Sequence, residues 1–413
     1  MKAMLYGLVA LLTICSPAFG AEEITKWDIL VMSEADVRIA LPGEQESRLV
    51  PPDMTPEEIS KTELLDLHDL ELYDFPDWFS KFTNLRKLDI SGTKIPIGAI
   101  SKLNNLDKLE VLDVSRNESF LVTYKDPNNK DHDNSVASVR FDECNTFISK
   151  ISGIRTLNMQ NIWYTWTKSS FEENYVSPMC SFSSLKKLIK LYLSDNDLVD
   201  KDFNNLNLNG LIELKILDLS KNGLKKINLT SLPSLENLNL SRNYLYEINL
   251  NSLPNLKILN VSFNWLKFDF IYQLPISLEE LFLNGNHYFF EQDIKKEPYK
   301  EINLPNLWFL SIEDSIYDYC YKKDKRDSFP FVGDFPSLEV LLLGNNTYYD
   351  SDSGCKVSLT LDKKYGDIFY LKKLRELSCD EAATIPKTLI ERANKRKKAF
   401  KEMNKNTSSN DEN

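Results

Sequence analysis

The chain has 413 residues, 42% hydrophobic and 27% charged, so it is neither a disordered polypeptide nor one embedded wholly in a membrane. A formal net charge of −11 argues against a nucleic-acid-binding bulk surface, and only 13 glycines exclude collagen-like or glycine-rich fibres. Three histidines, His68, His132 and His287, leave little material for metal or general-base chemistry.

Lys2 precedes an apolar run from Leu5 to Ile14, then Pro17, and Ala18-Phe19-Gly20 places small residues at −3 and −1 of a cleavage site. This pattern predicts a signal peptide over residues 1–20 and export to a periplasmic, secreted or extracellular location. The run is too short for a spanning helix, and no later segment reaches the roughly 20 apolar residues a span needs. Cys15 resembles a lipoprotein cleavage box, but bulky Ile14 stands where a small residue belongs. Residues 21–61 carry strand-like stretches (Ile29–Val31, Val37–Leu41) and a helix start at Thr55-Pro56, which predicts an N-terminal cap.

The middle of the chain repeats itself. Leu214-x-x-Leu217-x-Leu219-x-x-Asn222 returns as Leu235/Leu238/Leu240/Asn243, Leu256/Leu259/Val261/Asn264 and Leu278/Leu281/Leu283/Asn286. The asparagines step by 21, 21 and 22 residues. Weaker copies extend the frame: Leu65/Leu67/Leu70, Leu85/Leu88/Ile90/Thr93, Leu109/Leu112/Val114/Asn117, Ile154/Leu157/Met159 with Ile162 in the asparagine place, and Leu188/Leu191/Leu193/Asn196. Downstream follow Leu307/Leu310/Ile312/Ser315, Leu338/Leu341/Leu343/Asn346 and Leu374/Leu377/Cys379. The string resembles the leucine-rich repeat, and the short units with Leu-Pro before the strand resemble the bacterial internalin type. The resemblance implies an α/β solenoid, a horseshoe of about twelve turns over residues 62–384 with a parallel β-sheet on its concave face.

Alternating leucines make short strands whose paired side chains point inward, and stacked turns share one core. Asn117, Asn196, Asn222, Asn243, Asn264, Asn286 and Asn346 fall at the bend that follows. Their amides both donate and accept, so they are expected to form a structural ladder satisfying backbone groups between turns.

Longer steps mark insertions, 45 residues from Asn117 to Ile162 and 34 from there to Asn196, then 29 and 31 between Asn286, Ser315 and Asn346. Residues 125–134 are polar and proline-bearing and read as a mobile loop. As a calcium loop they fail, with Lys130, Asp131 and Ala137 where an oxygen ligand, glycine and glutamate belong; no metal site is expected. Trp163, Tyr164, Trp166 and Tyr175 read as anchors of the second insertion, with exposed contact residues as the alternative. Cys144 and Cys180 occupy similar stations on successive turns, as do Cys320 and Cys355, which predicts two disulfides in an oxidising compartment. The alternative leaves every cysteine reduced. Cys379 is expected to be a buried thiol.

After Pro386, apolar Leu389, Ile390, Ala393, Phe400 and Met403 at helical spacing, with Arg392, Lys395, Arg396, Lys397, Lys398 and Lys401, predict a capping helix over 385–404 with a basic solvated face. A disordered polar tail, 405–413, follows.

No nucleophile elbow, zinc-protease, phosphate-loop or dinucleotide motif occurs, and the repeats leave no room for an appended ligase domain. The expectation is a non-enzymatic exported scaffold without cofactor that recognises a protein, from a host where the organism is a parasite or symbiont. The alternative is an envelope or adhesion component binding glycan or surface polymer. Between the inward leucines, early turns carry Asp89, Ser91, Asp113, Ser115, Asp218, Ser220, Asn239, Ser241, Asn260 and Ser262. Later turns change to Phe282, Phe309 beside Trp308, Val340 and Leu342. These five, with Tyr192, are the expected partner-binding residues; Phe282, Phe309, Val340 and Leu342 fall on one sheet face across three neighbouring strands, a contiguous apolar patch that is either a docking site or packing beneath the 287–303 and 316–335 insertions.

Overall fold

The computed structural model describes residues 38–40, 48–49, 56–70, 72–73, 75, 77–96, 99, 107–117, 123–125, 135–137, 141–162, 180–229, 232–286, 302–313, 333–342, 347–350, 355–358 and 376–378. The signal peptide, Trp163, Tyr164, Trp166, Tyr175, Cys320, Asn346, Cys379, the 126–134 loop and the segment from 379 onward lie outside the described residues. The chain divides into two compact units, residues 1–224 with 231–237, and residues 225–230 with 238–413.

In the first unit β1 (Arg38–Ala40) pairs antiparallel with β2 (Arg48–Leu49) and with β3 (Leu64–Asp66), and α1 (Pro56–Lys61) begins at the proline the sequence offered. From β3 onward the order is parallel: β4 (Lys87–Asp89) and β5 (Val111–Asp113), then, past the antiparallel ribbon of β6 (Thr123–Lys125) and β7 (Ser135–Ala137), β8 (Thr156–Asn158), β9 (Lys190–Tyr192) and β10 (Ile216–Asp218). The register aligns Leu65, Leu88, Leu112, Leu157, Leu191 and Leu217. All six are buried, each worth about 2 kcal/mol of hydrophobic stabilisation. Two helices punctuate the unit, α2 (Phe141–Lys150) and α3 (Asp200–Leu206).

In the second unit β11 (Lys226–Asn228) and β13 (Glu247–Asn249) form a parallel pair off the main sheet. The main strands are β12 (Asn237–Asn239), β14 (Ile258–Asn260), β15 (Glu280–Phe282), β17 (Phe309–Ser311), β19 (Val340–Leu342) and β22 (Glu376–Ser378). Leu259, Leu281, Leu310, Leu341 and Leu377 align along it. Within the insertions β16 (Ile302–Asn303) pairs parallel with β18 (Gly333–Asp334), and β20 (Thr347–Asp350) antiparallel with β21 (Cys355–Ser358).

Each turn bends at the same place. Among the described residues, the one before each asparagine position is left-handed: Asp69, Gly92, Arg116, Asn161, Asp195, Lys221, Arg242, Phe263 and Gly285 all have φ between 50° and 66°. That conformation lets the residue's N–H donate to a carbonyl of the next turn, as Gly92 does to Ser115 (2.8 Å) and Arg242 to Ser262 (2.8 Å). Only glycine adopts it freely, so seven of these nine positions hold side chains at a local cost of about 1 kcal/mol each.

The asparagines bond backbone rather than one another. Asn264 Nδ2 donates to Leu240 O (2.9 Å) in the preceding turn and to Val261 O (2.9 Å) in its own, while Oδ1 accepts Leu245 N–H (3.0 Å). Asn286 repeats this set one turn on, and Asn222 and Asn196 use the same geometry in the first unit. Asn117 donates to Ile90 and Val114 carbonyls, and Asn243 to Leu240 O. Ile162, which has no amide to give, still donates its backbone N–H to Asn196 Oδ1.

Candidate functional site

Two sets of outward-facing side chains stand out, an aromatic one that departs from repeat filler and an acidic one built from filler positions themselves. Filler is recognisable by its bond: an Asp or Asn that ends a strand accepts the N–H two residues on, as in Asp89–Ser91 (2.8 Å), Asp218–Ser220 (2.9 Å) and Asn260–Ser262 (3.0 Å). These side chains shape turns.

The first set is aromatic. β15, β17 and β19 are neighbours, and their register places Phe309 opposite Glu280 and Val340, with Phe282 opposite Ser311 and Ser311 opposite Leu342. Phe282 and Phe309 meet at 4.7 Å between ring centroids, and Trp308 meets Phe309 edge-on at 5.7 Å. Phe282 and Val340 are each only 7% exposed, whereas Trp308, Phe309 and Leu342 are half-buried. Phe282 and Val340 are therefore largely packed, and Phe282→Ala is expected to cost stability. Glu280 is buried on the same face. Burial, helped by the neighbouring Glu279, pushes its carboxyl up to about 7. Tyr192 belongs to the first unit. It is half-buried there, in register with Asn158 and Asp218.

The second set is acidic. Asp66, Asp89 and Asp113 stand side by side on β3, β4 and β5. Burial, then the charges of Asp113 and Asp66, push Asp89 up to about 7, and burial raises Asp113 as well. His68 Nδ1 lies 2.7 Å from Asp66 Oδ1. Asp66, His68 and Asp89 are the one set among the described residues whose ligand atoms all fall within 4.8 Å, a spacing that could hold a cation. The hydrogen bonds of Asp66 and Asp89 to their turns account for the same carboxylates structurally.

At the strand entry of the first unit a shallow groove is lined by Glu63, Arg86, Glu110, Arg155 and Lys187. Its charges are of both signs, with Arg86 and Glu110 paired at 2.6 Å.

The sulfurs of Cys144, on α2, and Cys180 lie at disulfide-bonding distance, both residues fully buried and their Cα atoms 5.3 Å apart. The sequence reading assigned no element to α2; its buried Phe147 and Ile148, with Ile151 just beyond its end, pack beside Cys144 and are the apolar signal for it. Among the described residues no helix is long and apolar enough to cross a membrane.

No protein-family model matches the chain. No curated protein matches it either. Solved structures do. The chain is similar to the protein of a TLR13–ssRNA13 complex at 18% identity and a TM-score of 0.52, covering 80% of this chain and 41% of that one. It is likewise similar to a chain of the octameric complex of Latrophilin 3, Unc5D and the leucine-rich repeats of FLRT2, at 18% identity and a TM-score of 0.50, over 77% of this chain and 81% of that one. An internalin, InlF of Listeria monocytogenes, aligns at 20% identity and a TM-score of 0.47, over 83% and 87%. The chain thus spans about two fifths of the TLR13 chain's length. At these identities the likeness is one of fold, and with the stacked strands and buried asparagines described above it identifies the chain as a leucine-rich repeat solenoid.

Proposed function

We propose that this protein is an exported, non-enzymatic leucine-rich repeat scaffold that recognises another protein through the outward face of β15, β17 and β19, with a host protein as the target where the organism lives on one. The observation that carries this reading is the Trp308–Phe309–Leu342 surface, partly exposed aromatic and aliphatic groups where other turns present Asp, Asn and Ser. Partly exposed aromatic clusters on rigid sheets are the composition of binding hot spots. The leader-like residues 1–20 support export, and the Cys144–Cys180 pair, bonded in this account, supports an oxidising destination. Leucine-rich repeat chains occur in the FLRT2 assembly with protein partners, which agrees with the proposal.

Class of partner is tested by exposing the folded protein in parallel to host-cell lysate and to a glycan array. Retention of a discrete protein that a Phe309→Ala variant fails to retain is the expected result. Glycan binding with no protein retained contradicts it.

A further inference from the structure

Four of the seven exposed large apolar side chains among the described residues belong to two successive turns of the second unit: Tyr244 (48% exposed), Tyr246 (45%), Phe263 (43%) and Trp265 (44%). They sit at the bend and just beyond it, away from the strand face discussed above. Tyr244 and Trp265 follow Asn243 and Asn264, the same station one turn apart, and their rings meet edge-on at 5.1 Å. Burial of Leu245 and Leu266 alternates with them, so the stacking of turns itself pushes the two rings to solvent.

Folding does not account for this ridge. Phe263 occupies the left-handed bend position with φ +57°, where a bulky side chain is strained, and Gly285 holds the same position in the next turn without strain. Exposure of the ring adds a second cost. Gly285 also leaves the space the ring occupies, since a Cβ there would collide with Phe263. Phe263 is nonetheless in ordered contact: the Arg242 guanidinium lies 4.7 Å from its centroid. Arg242 is itself exposed, and no carboxylate among the described residues pairs with it. Lys226, over Tyr246 at 5.2 Å, is by contrast neutralised by Glu247 at 2.6 Å.

Ring geometry and charge narrow the occupant. The 63° angle between Tyr244 and Trp265 denies them a common flat face, and Arg242 covers Phe263, so the ridge is not a platform for stacked bases or sugar rings. It is an uneven apolar surface with one guanidinium that no described carboxylate neutralises, whose N–H edge suits a carboxylate bidentately. Tyr, Trp and Arg are the residues that dominate protein hot spots. We infer that Arg242, Tyr244, Phe263 and Trp265 form a second interaction surface, distinct from the β15–β19 face, that receives a protein segment bearing a carboxylate flanked by apolar side chains.

The test is selection of a random dodecapeptide phage library on the immobilised full chain, followed by titration of the selected synthetic peptides. Peptides pairing Asp or Glu with apolar neighbours are expected, binding wild type at least ten-fold more tightly than Arg242→Gln or Trp265→Ala, with the melting temperature of both variants unchanged. A fluorescent dT20 oligonucleotide, titrated alongside, is expected not to bind. The inference is overturned if selection enriches no acidic–apolar sequence, or if the selected peptides bind both variants as tightly as wild type. It is overturned equally if dT20 binds and Arg242→Gln abolishes that binding.

Discussion

Arg116 Nη2 reaches Asp69 Oδ1 at 3.1 Å across an intervening turn, and it can do so because residue 92, which lies between them, has no side chain. Gly92 sits at the left-handed bend with φ +65°, and a Cβ there would run into the Asp69 carboxylate. Gly92→Ala is therefore expected to cost about 1–2 kcal/mol, from backbone strain and the displaced pair together. Asp69→Ala removes only a half-exposed ion pair and is expected to cost under about 1 kcal/mol. Urea denaturation of the two variants compares them; equal losses would show that the pair, not the bend, carries the effect.

Asn264 serves four backbone groups, Ser262 O among them, while 1% exposed. Asn264→Leu leaves Leu240 O, Val261 O and Leu245 N–H without that partner, and is expected to destabilise by about 2–4 kcal/mol. The exposed neighbour Trp265→Ala is expected to change stability by less than about 1 kcal/mol. Thermal melts of both variants decide whether the asparagines are structural.

The acidic row makes a pH prediction. Asp89, pushed up to about 7, holds its proton more tightly folded than unfolded, so its contribution to stability is full below the ordinary carboxylate range, falls as pH rises, and is lost above about 7. The groups facing it are Asp66 with His68, Asp113, and the Ser91 N–H. Asp89→Asn keeps an oxygen for Ser91 and removes the charge. Melting temperatures at pH 5.5 and 8 are expected to differ less in Asp89→Asn than in wild type, with the variant the more stable at pH 8.

A bond between Cys144 and Cys180 closes a loop with a sequence separation of 36. Chain-entropy reasoning gives such a crosslink about 3–4 kcal/mol of stabilisation. Denatured, unreduced mature protein is expected to show one free thiol if Cys320 and Cys355 also pair, and three if Cys144–Cys180 stands alone. Five free thiols would refute the oxidised pair.

Much of the solenoid was legible because its signal is periodic. The inward leucines and the asparagines recur in phase, and both are dictated by burial. Thr55-Pro56 likewise announced α1, and Val37–Leu41 contained β1. Less visible was anything that depends on which turn stacks on which. That Phe282 is shielded follows from Phe309 entering from β17, a strand separated from it by an insertion. The Tyr244–Trp265 ridge was hidden for another reason: attention to the inward positions passes over the station after each asparagine, although two aromatics 21 residues apart were there to be seen.

The central claim is that the outward face of β15, β17 and β19 meets a protein partner. Site-specific photocrosslinking tests it most directly, with benzoylphenylalanine placed at Phe309, where the native ring is half-buried on that face, and in a second variant at Ile276, which is 68% exposed elsewhere. Irradiation in the presence of host-cell proteins is expected to give one discrete adduct from position 309 and none from 276. No adduct from 309, or the same spectrum of adducts from both positions, would contradict it.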